Sequence, residues 1–133
     1  MKADAQTEAV MVGMLESFCS AFQARDAEAV MRLFAPDPDL VVVTSEESLL
    51  RGPHELQTFL RAYEQGPATY SWIWDRLEVS TADAVAWLLA EGTETAATQD
   101  GEQEHPYRMT IVCERRDEQW LLVQMHGSSP QHG

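Results

Sequence analysis

The chain has 133 residues, 44% of them hydrophobic, and its twenty-two acidic against nine basic side chains give a net charge of -13. That length and apolar fraction suffice for one buried core and argue against a wholly disordered chain. The acidic surplus repels phosphate backbones and anionic membrane surfaces, and no basic cluster offsets it, so nucleic acid is a poor partner.

Met1-Lys2-Ala3-Asp4 lacks the charged-then-apolar pattern of a secretion signal. No apolar run approaches the about 20 residues that span a bilayer. The expectation is a cytoplasmic protein with no membrane attachment. Cys19 and Cys113 lie far apart, without CxxC or Cys/His spacing, and read as reduced thiols filling core positions. No metal and no cofactor are expected.

The first helix is announced by Val10, Met14, Phe18 and Phe22, with Met11, Leu15 and Cys19 beside them in a wide apolar stripe. Arg25-Asp26 breaks it, and Asp26 is suited to cap a short second helix carrying Val30, Leu33 and Phe34. Pro36 and Pro38 end helical structure. Leu40 to Thr44 is a β-branched run that reads as a buried strand. A polar turn at Ser45-Glu46-Glu47 leads to a short return strand through Leu49-Leu50. Gly52-Pro53 then opens a third helix with Leu56, Phe59, Leu60 and Tyr63 on one face, stopped by Gly66-Pro67.

Four long extended segments follow: Tyr70 to Val79, Ala84 to Thr95, His105 to Arg115 and Gln119 to Ser128. They are separated by turns that include Asp100-Gly101. The prediction is an α+β fold in one domain over residues 1–128, with three N-terminal helices packed on a strongly curved, mostly antiparallel sheet. Residues 129–133 read as a loose tail.

Strict alternation divides the last two strands into faces. Met109, Ile111 and Cys113 share one face, and Leu121, Val123 and Met125 form the matching wholly apolar face of the final strand. The other face mixes Arg108, Thr110, Val112 and Glu114 with Trp120, Leu122, Gln124, His126 and Ser128. Two readings of the mixed face are open. It lines a cavity whose polar groups fix a ligand, or it packs against a second subunit and leaves a greasy pocket under the helices.

The order of elements, with Leu33-Phe34-Ala35 closing the short helix, resembles the nuclear-transport-factor-2-like superfamily. The ending Arg108-x-Thr110, Arg115-Arg116-Asp117, Trp120 and His126-x-Ser128-x-Pro130 resembles its SnoaL-like branch, and is similar also to the association domain of calmodulin-dependent kinase II. The resemblance implies a cone-shaped α+β barrel, commonly a homodimer paired through its sheets, with a pocket at the open end. Its members include isomerases, cyclases, dehydratases, epoxide hydrolases and proteins that only bind or assemble, so fold alone decides little. Ketosteroid isomerase-like members carry an aspartate base where this chain has Val41-Val42-Val43. Limonene epoxide hydrolase-like members carry Arg-x-Asp where it has Arg108-Met109-Thr110. Neither activity is expected.

His126 is the candidate proton carrier, because histidine titrates near neutrality; its bland alternative is a hydrogen bond across a subunit interface. Arg108 is the candidate clamp for a ligand carboxylate, or the partner of Glu91 or Glu114. Trp72 and Trp74 offer flat walls for a ligand, or fill core, and Tyr63 offers a hydroxyl to a cavity. His54, His105 and His132 read as inert, and Glu46, Glu47, Glu91, Glu94, Glu102 and Glu104 as solvated surface. Two functions remain. One is a protein that binds a small apolar ligand, catalytic through acid/base isomerisation or cyclisation if it is an enzyme; the other is a non-catalytic association module. Both include a homodimer through the sheet, since three helices cannot cover two apolar-rich faces.

Overall fold

The period-two segments of the second half form four long strands that carry the rest of the molecule. In this computed structural model, which describes residues 1–45 and 48–130, they are β3 (Thr69–Ala82), β4 (Val85–Thr98), β5 (Gly101–Arg116) and β6 (Gln119–Ser128). Two short strands, β1 (Val41–Val43) and β2 (Leu49–Arg51), complete a six-stranded sheet of order β2-β1-β6-β5-β4-β3. All neighbours are antiparallel except β1 and β6, which run parallel. The expected turn at Glu46-Glu47 and tail residues 131–133 fall outside the described residues.

Helix α1 (Ala5–Gln23) begins at Asp4, whose carboxylate accepts from the Thr7 N–H at 2.7 Å. Its buried residues are Met11, Leu15, Phe18 and Phe22, while Val10 stays 37% exposed, so the stripe is rotated by about one residue from the Val10-Met14 reading. Helix α2 (Ala27–Met31) is capped by Asp26, as expected, through the Ala29 N–H at 3.0 Å. Helix α3 (Gly52–Gln65) has proline in its first turn, and Glu55 reaches back to the Arg51 N–H at 2.8 Å. The helices cover one face of the curled sheet. Met11, Leu15, Leu60, Leu88, Ile111, Cys113 and Leu122 are almost fully buried between the two layers.

The faces of β6 depart from strict alternation. Cys113 pairs with Leu122 but Val112 pairs with Gln124, so Val123 is an extra residue in a β-bulge. Leu122 and Met125 therefore share the inner face, and Leu121 faces outward opposite Glu114. The reading that grouped Leu121, Val123 and Met125 is corrected by that one inserted residue. Leu122 is fastened further by the segment after α2, exchanging backbone hydrogen bonds of 2.8 Å with Leu33 and Ala35.

Candidate functional site

A cavity of about 290 Å³ lies under the helices, between α1, α3 and the end of the sheet where β3, β4 and β5 carry large side chains. That size is at the lower end for small-molecule pockets. Its wall is aromatic. Trp72 packs at ring-centroid distances of 5.5 Å from Phe22, 6.1 Å from Phe18 and 6.0 Å from Tyr107. Tyr63 stacks on Phe22 at 4.2 Å. Gly127 makes room for Tyr107, because a Cβ there would overlap the tyrosine hydroxyl.

One carboxylate interrupts this wall. Glu94 is 4% exposed and is the one acid among the described lining residues. The register explains how it is held. On β4 it stands directly opposite Trp72 of β3 on one side and His105 of β5 on the other. Trp72 Nε1–H donates to Glu94 Oε2 at 2.9 Å, and His105 Nε2 lies 2.8 Å from Glu94 Oε1. Desolvating a carboxylate costs several kcal/mol unless donors compensate, and the indole and imidazole provide that compensation. Apolar side chains in place of the whole hydrogen-bonded row would serve the fold at lower cost. Glu94 is therefore the strongest sign of chemistry in the cavity.

His105 extends this row toward solvent. Its side chain is 36% exposed, so one ring nitrogen meets a buried carboxylate while the ring edge reaches water. A neutral imidazole that donates through Nε2 keeps Nδ1 as an acceptor, which makes the ring a proton route between bulk and cavity. Tyr63 Oη accepts from the Tyr70 N–H at 3.2 Å and retains its own proton for donation. Burial raises the Tyr63 pKa above its ordinary value; the Tyr70 hydrogen bond and Arg25 oppose this, and the charge on Glu94 adds to it.

The rim is pinned by Arg25. This residue has φ of 61°, and its guanidinium lies 5.2 Å from the Tyr63 ring centroid. It donates to the Tyr63 carbonyl at 2.6 Å, the Glu64 carbonyl at 3.2 Å and the Gly66 carbonyl. These acceptors lie at and just beyond the end of α3, and the Tyr63 carbonyl also accepts from the Gly66 N–H at 3.2 Å. Glu64 answers by accepting from the Ala27 N–H at 3.2 Å. The α1–α2 turn is thus tied to the Gly66-Pro67-Ala68 segment of the cavity wall.

Of the residues singled out in the sequence, Tyr63 and Trp72 line the cavity. Trp74 lies behind Trp72, its ring parallel within 4° at 6.3 Å, beside Cys19. His126 and Arg108 are placed elsewhere. Both are exposed on the outer face, His126 opposite Thr110 and Val43, and Arg108 3.4 Å from Glu91. The helices cover the face of Met109, Ile111 and Cys113, so the mixed face points away from the cavity. Glu94, read as solvated surface, is buried, and His105, read as inert, is hydrogen-bonded to it. The signal that finds them is the Asp100-Gly101 hairpin, whose register sets residue 94 opposite residue 105.

Cys19 and Cys113 are free, with thiols pushed up by burial to about 11 and about 12, and neither is poised as a nucleophile. Among the described residues no three His, Cys, Asp or Glu side chains are grouped to hold a metal ion. No described helix is long and apolar enough to cross a membrane.

The family model described as SnoaL-like domain matches residues 13–132. No curated protein matches the chain in sequence. Several solved structures share the fold. A candidate dehydratase of the nuclear-transport-factor-2-like family from Streptomyces avermitilis has a TM-score of 0.84 at 16% identity, covering 97% of this chain and 100% of its own. A nuclear-transport-factor-2-like superfamily protein from Salmonella enterica has a TM-score of 0.85 at 15% identity, covering 98% and 95%. A candidate calcium/calmodulin-dependent protein kinase II association domain from Xanthomonas campestris has a TM-score of 0.78 at 19% identity, covering 99% and 91%. Identities this low carry the fold and no activity.

Proposed function

The chain belongs to the SnoaL-like domain family, and on that premise we propose that it takes a small, largely apolar ligand into the cavity and moves a proton on it through Glu94. The observation that carries this reading is the buried carboxylate set into an aromatic wall with an imidazole leading outward. Ionised Glu94 takes a proton from an acidic C–H of the ligand and returns it at another atom, which leaves the protein unchanged and isomerises the ligand. Tyr63 donates to oxygen as negative charge develops there. His105 exchanges the Glu94 proton with solvent between turnovers. A dehydratase relative is compatible with such chemistry, since elimination of water also begins with a positioned base.

The test is deuterium uptake from D₂O into enolisable aryl ketones of one or two rings. Wild type incorporates label, and Glu94→Gln loses about 10²–10⁴-fold in rate while staying folded. His126→Ala and Arg108→Ala retain the wild-type rate. Loss in those two variants with retention in Glu94→Gln would overturn the assignment and return the chemistry to the outer face.

The outer face supports a second element of the proposal, pairing with another copy of the chain. Trp87, Leu89, Val112 and Leu121 are only half-buried there, and Ile73 is 73% exposed. The association-domain relative favours the same role. Light scattering at micromolar concentration gives twice the chain mass in this reading, and a monomer rules it out.

A further inference from the structure

The turn that closes α1 carries an arginine at a position suited to glycine. We propose that Arg25 is a positioning residue for the candidate reaction: without touching the ligand, it acts through Tyr63, fixing the phenol as the proton donor of the cavity. The inference rests on the reading of Tyr63 as that donor and deepens it by naming what holds the donor in place.

The backbone comes first. The Asp26 N–H donates to the Ala21 carbonyl and the Arg25 N–H to the Phe22 carbonyl, each at 3.0 Å, the pair of bonds that ends a helix around a left-handed residue. Glycine enters that conformation without steric cost, whereas Arg25 takes it with φ of 61°. Asp83, Asp117 and Glu118 also have positive φ, but they are exposed at hairpin turns and Arg25 is half-buried. Its Nε adds a second cost, being buried with no hydrogen-bond partner among the described residues. Glycine would remove both costs, so the strain points to what the guanidinium does.

That work converges on Tyr63. Arg25 Nη2 donates to the carbonyls of Tyr63, Glu64 and Gly66, and Nη1 lies 3.5 Å from Thr69 Oγ1. One side chain thus grips both ends of the segment joining α3 to β3. The Tyr63 hydroxyl closes the same segment by accepting from the Tyr70 N–H at 3.2 Å. The Tyr63 ring is held by Phe22 at 4.2 Å and by the guanidinium at 5.2 Å. The phenol is therefore fixed at its backbone, its ring and its oxygen. Arg25 itself is not among the cavity-lining residues, so it reaches a ligand only through this tyrosine. A permanent positive charge beside the ring also favours the negative charge that grows on the phenol oxygen as it gives up its proton. In the same sense, burial raises the Tyr63 pKa and Arg25 opposes the rise.

The experiment follows deuterium uptake into 1-tetralone by the full chain, in wild type, Arg25→Gly, Tyr63→Phe and the double variant. Arg25→Gly is expected to lose about tenfold to a hundredfold in kcat while KM stays within about twofold. In the Tyr63→Phe background the same change costs no further kcat. A rise in KM alone, or an equal loss of kcat in both backgrounds, overturns the proposal, since either means that Arg25 only shapes the rim or the fold. A second readout needs no turnover: tyrosine-labelled NMR, with the Tyr63 signal assigned by its absence from Tyr63→Phe. The Tyr63 phenol titrates at higher pH in Arg25→Gly than in wild type, and an unmoved titration also overturns the proposal. Glu94 acts on Tyr63 as well and is common to both proteins. Should wild type exchange no label, the proton-transfer reading fails, and the titration alone decides whether Arg25 governs Tyr63. Should Arg25→Gly fail to fold, Arg25→Gln, which removes the charge and the fork, takes its place in both measurements.

Discussion

Glu91 and Glu94 sit three residues apart on β4, and the odd spacing sends them to opposite faces of one sheet. Glu91 stands in an outer row between Arg76 and Arg108, its side chain 37% exposed and 3.4 Å from the Arg108 guanidinium. Glu94 stands in an inner row between Trp72 and His105, its side chain 5% exposed. The outer carboxylate is screened by water and flanked by the guanidinium groups of Arg76 and Arg108. The inner one is desolvated and hydrogen-bonded to the Trp72 indole and the His105 ring. Identical side chains in one strand are thus given different work by what the hairpin register places opposite them.

Three substitutions along this strand test the contrast. Leu88→Ala, at a fully buried inner position of the packed end, should destabilise the protein by about 2–5 kcal/mol in urea unfolding. Glu94→Ala should cost about 1–3 kcal/mol, because the Trp72 indole and the His105 ring lose their acceptor next to a cavity. Glu91→Ala should cost less than about 1 kcal/mol, and 1 M salt should erase even that. Equal losses at residues 91 and 94 would break the comparison, since they would mean that burial does not distinguish the two carboxylates.

Acid provides a smaller test away from β4. The Arg116 hydrogen bond holds the Asp37 carboxyl below its ordinary value of 3.8 against a modest opposing effect of desolvation. Its folded pKa is depressed, so its contribution is complete above the ordinary value and is lost as pH falls through the depressed one. Asp37→Asn should therefore flatten the acid limb of the stability profile, with a small loss of stability at pH 7 that disappears in strong acid, where the wild-type carboxyl is protonated too. An unchanged acid limb would contradict the pairing.

Most elements were legible because their signals are local. Asp26 before an apolar turn, Gly52-Pro53 at a helix start and the strand periodicity of residues 70–128 each act over a few residues. The site was less legible. Glu94 lies in the stretch Glu91-Gly92-Thr93-Glu94-Thr95, whose composition reads as surface, and nothing within that stretch reports that α1 and α3 roof it. His126 looked attractive as a titratable group near the end of a strand, but which face receives the helices is a tertiary fact. The bulge at Val123 shows the same limit, since one unpaired residue reversed the facing of Leu121 and Leu122 without any glycine or proline to mark it.

The parallel pairing of β1 with β6 has a kinetic consequence. Val42 meets Met125 across that ladder, and both line the cavity, yet they are separated by most of the chain. The hairpins of β3 to β6 assemble from sequence neighbours, whereas the β1–β6 seam waits for β6 to be synthesised and then for a long loop to close. The cavity is therefore among the last features to form as the protein leaves the ribosome. Until that seam closes, the cavity lacks the side that Val42 contributes and the β6 edge is unpaired, which leaves a nascent chain open to aggregation.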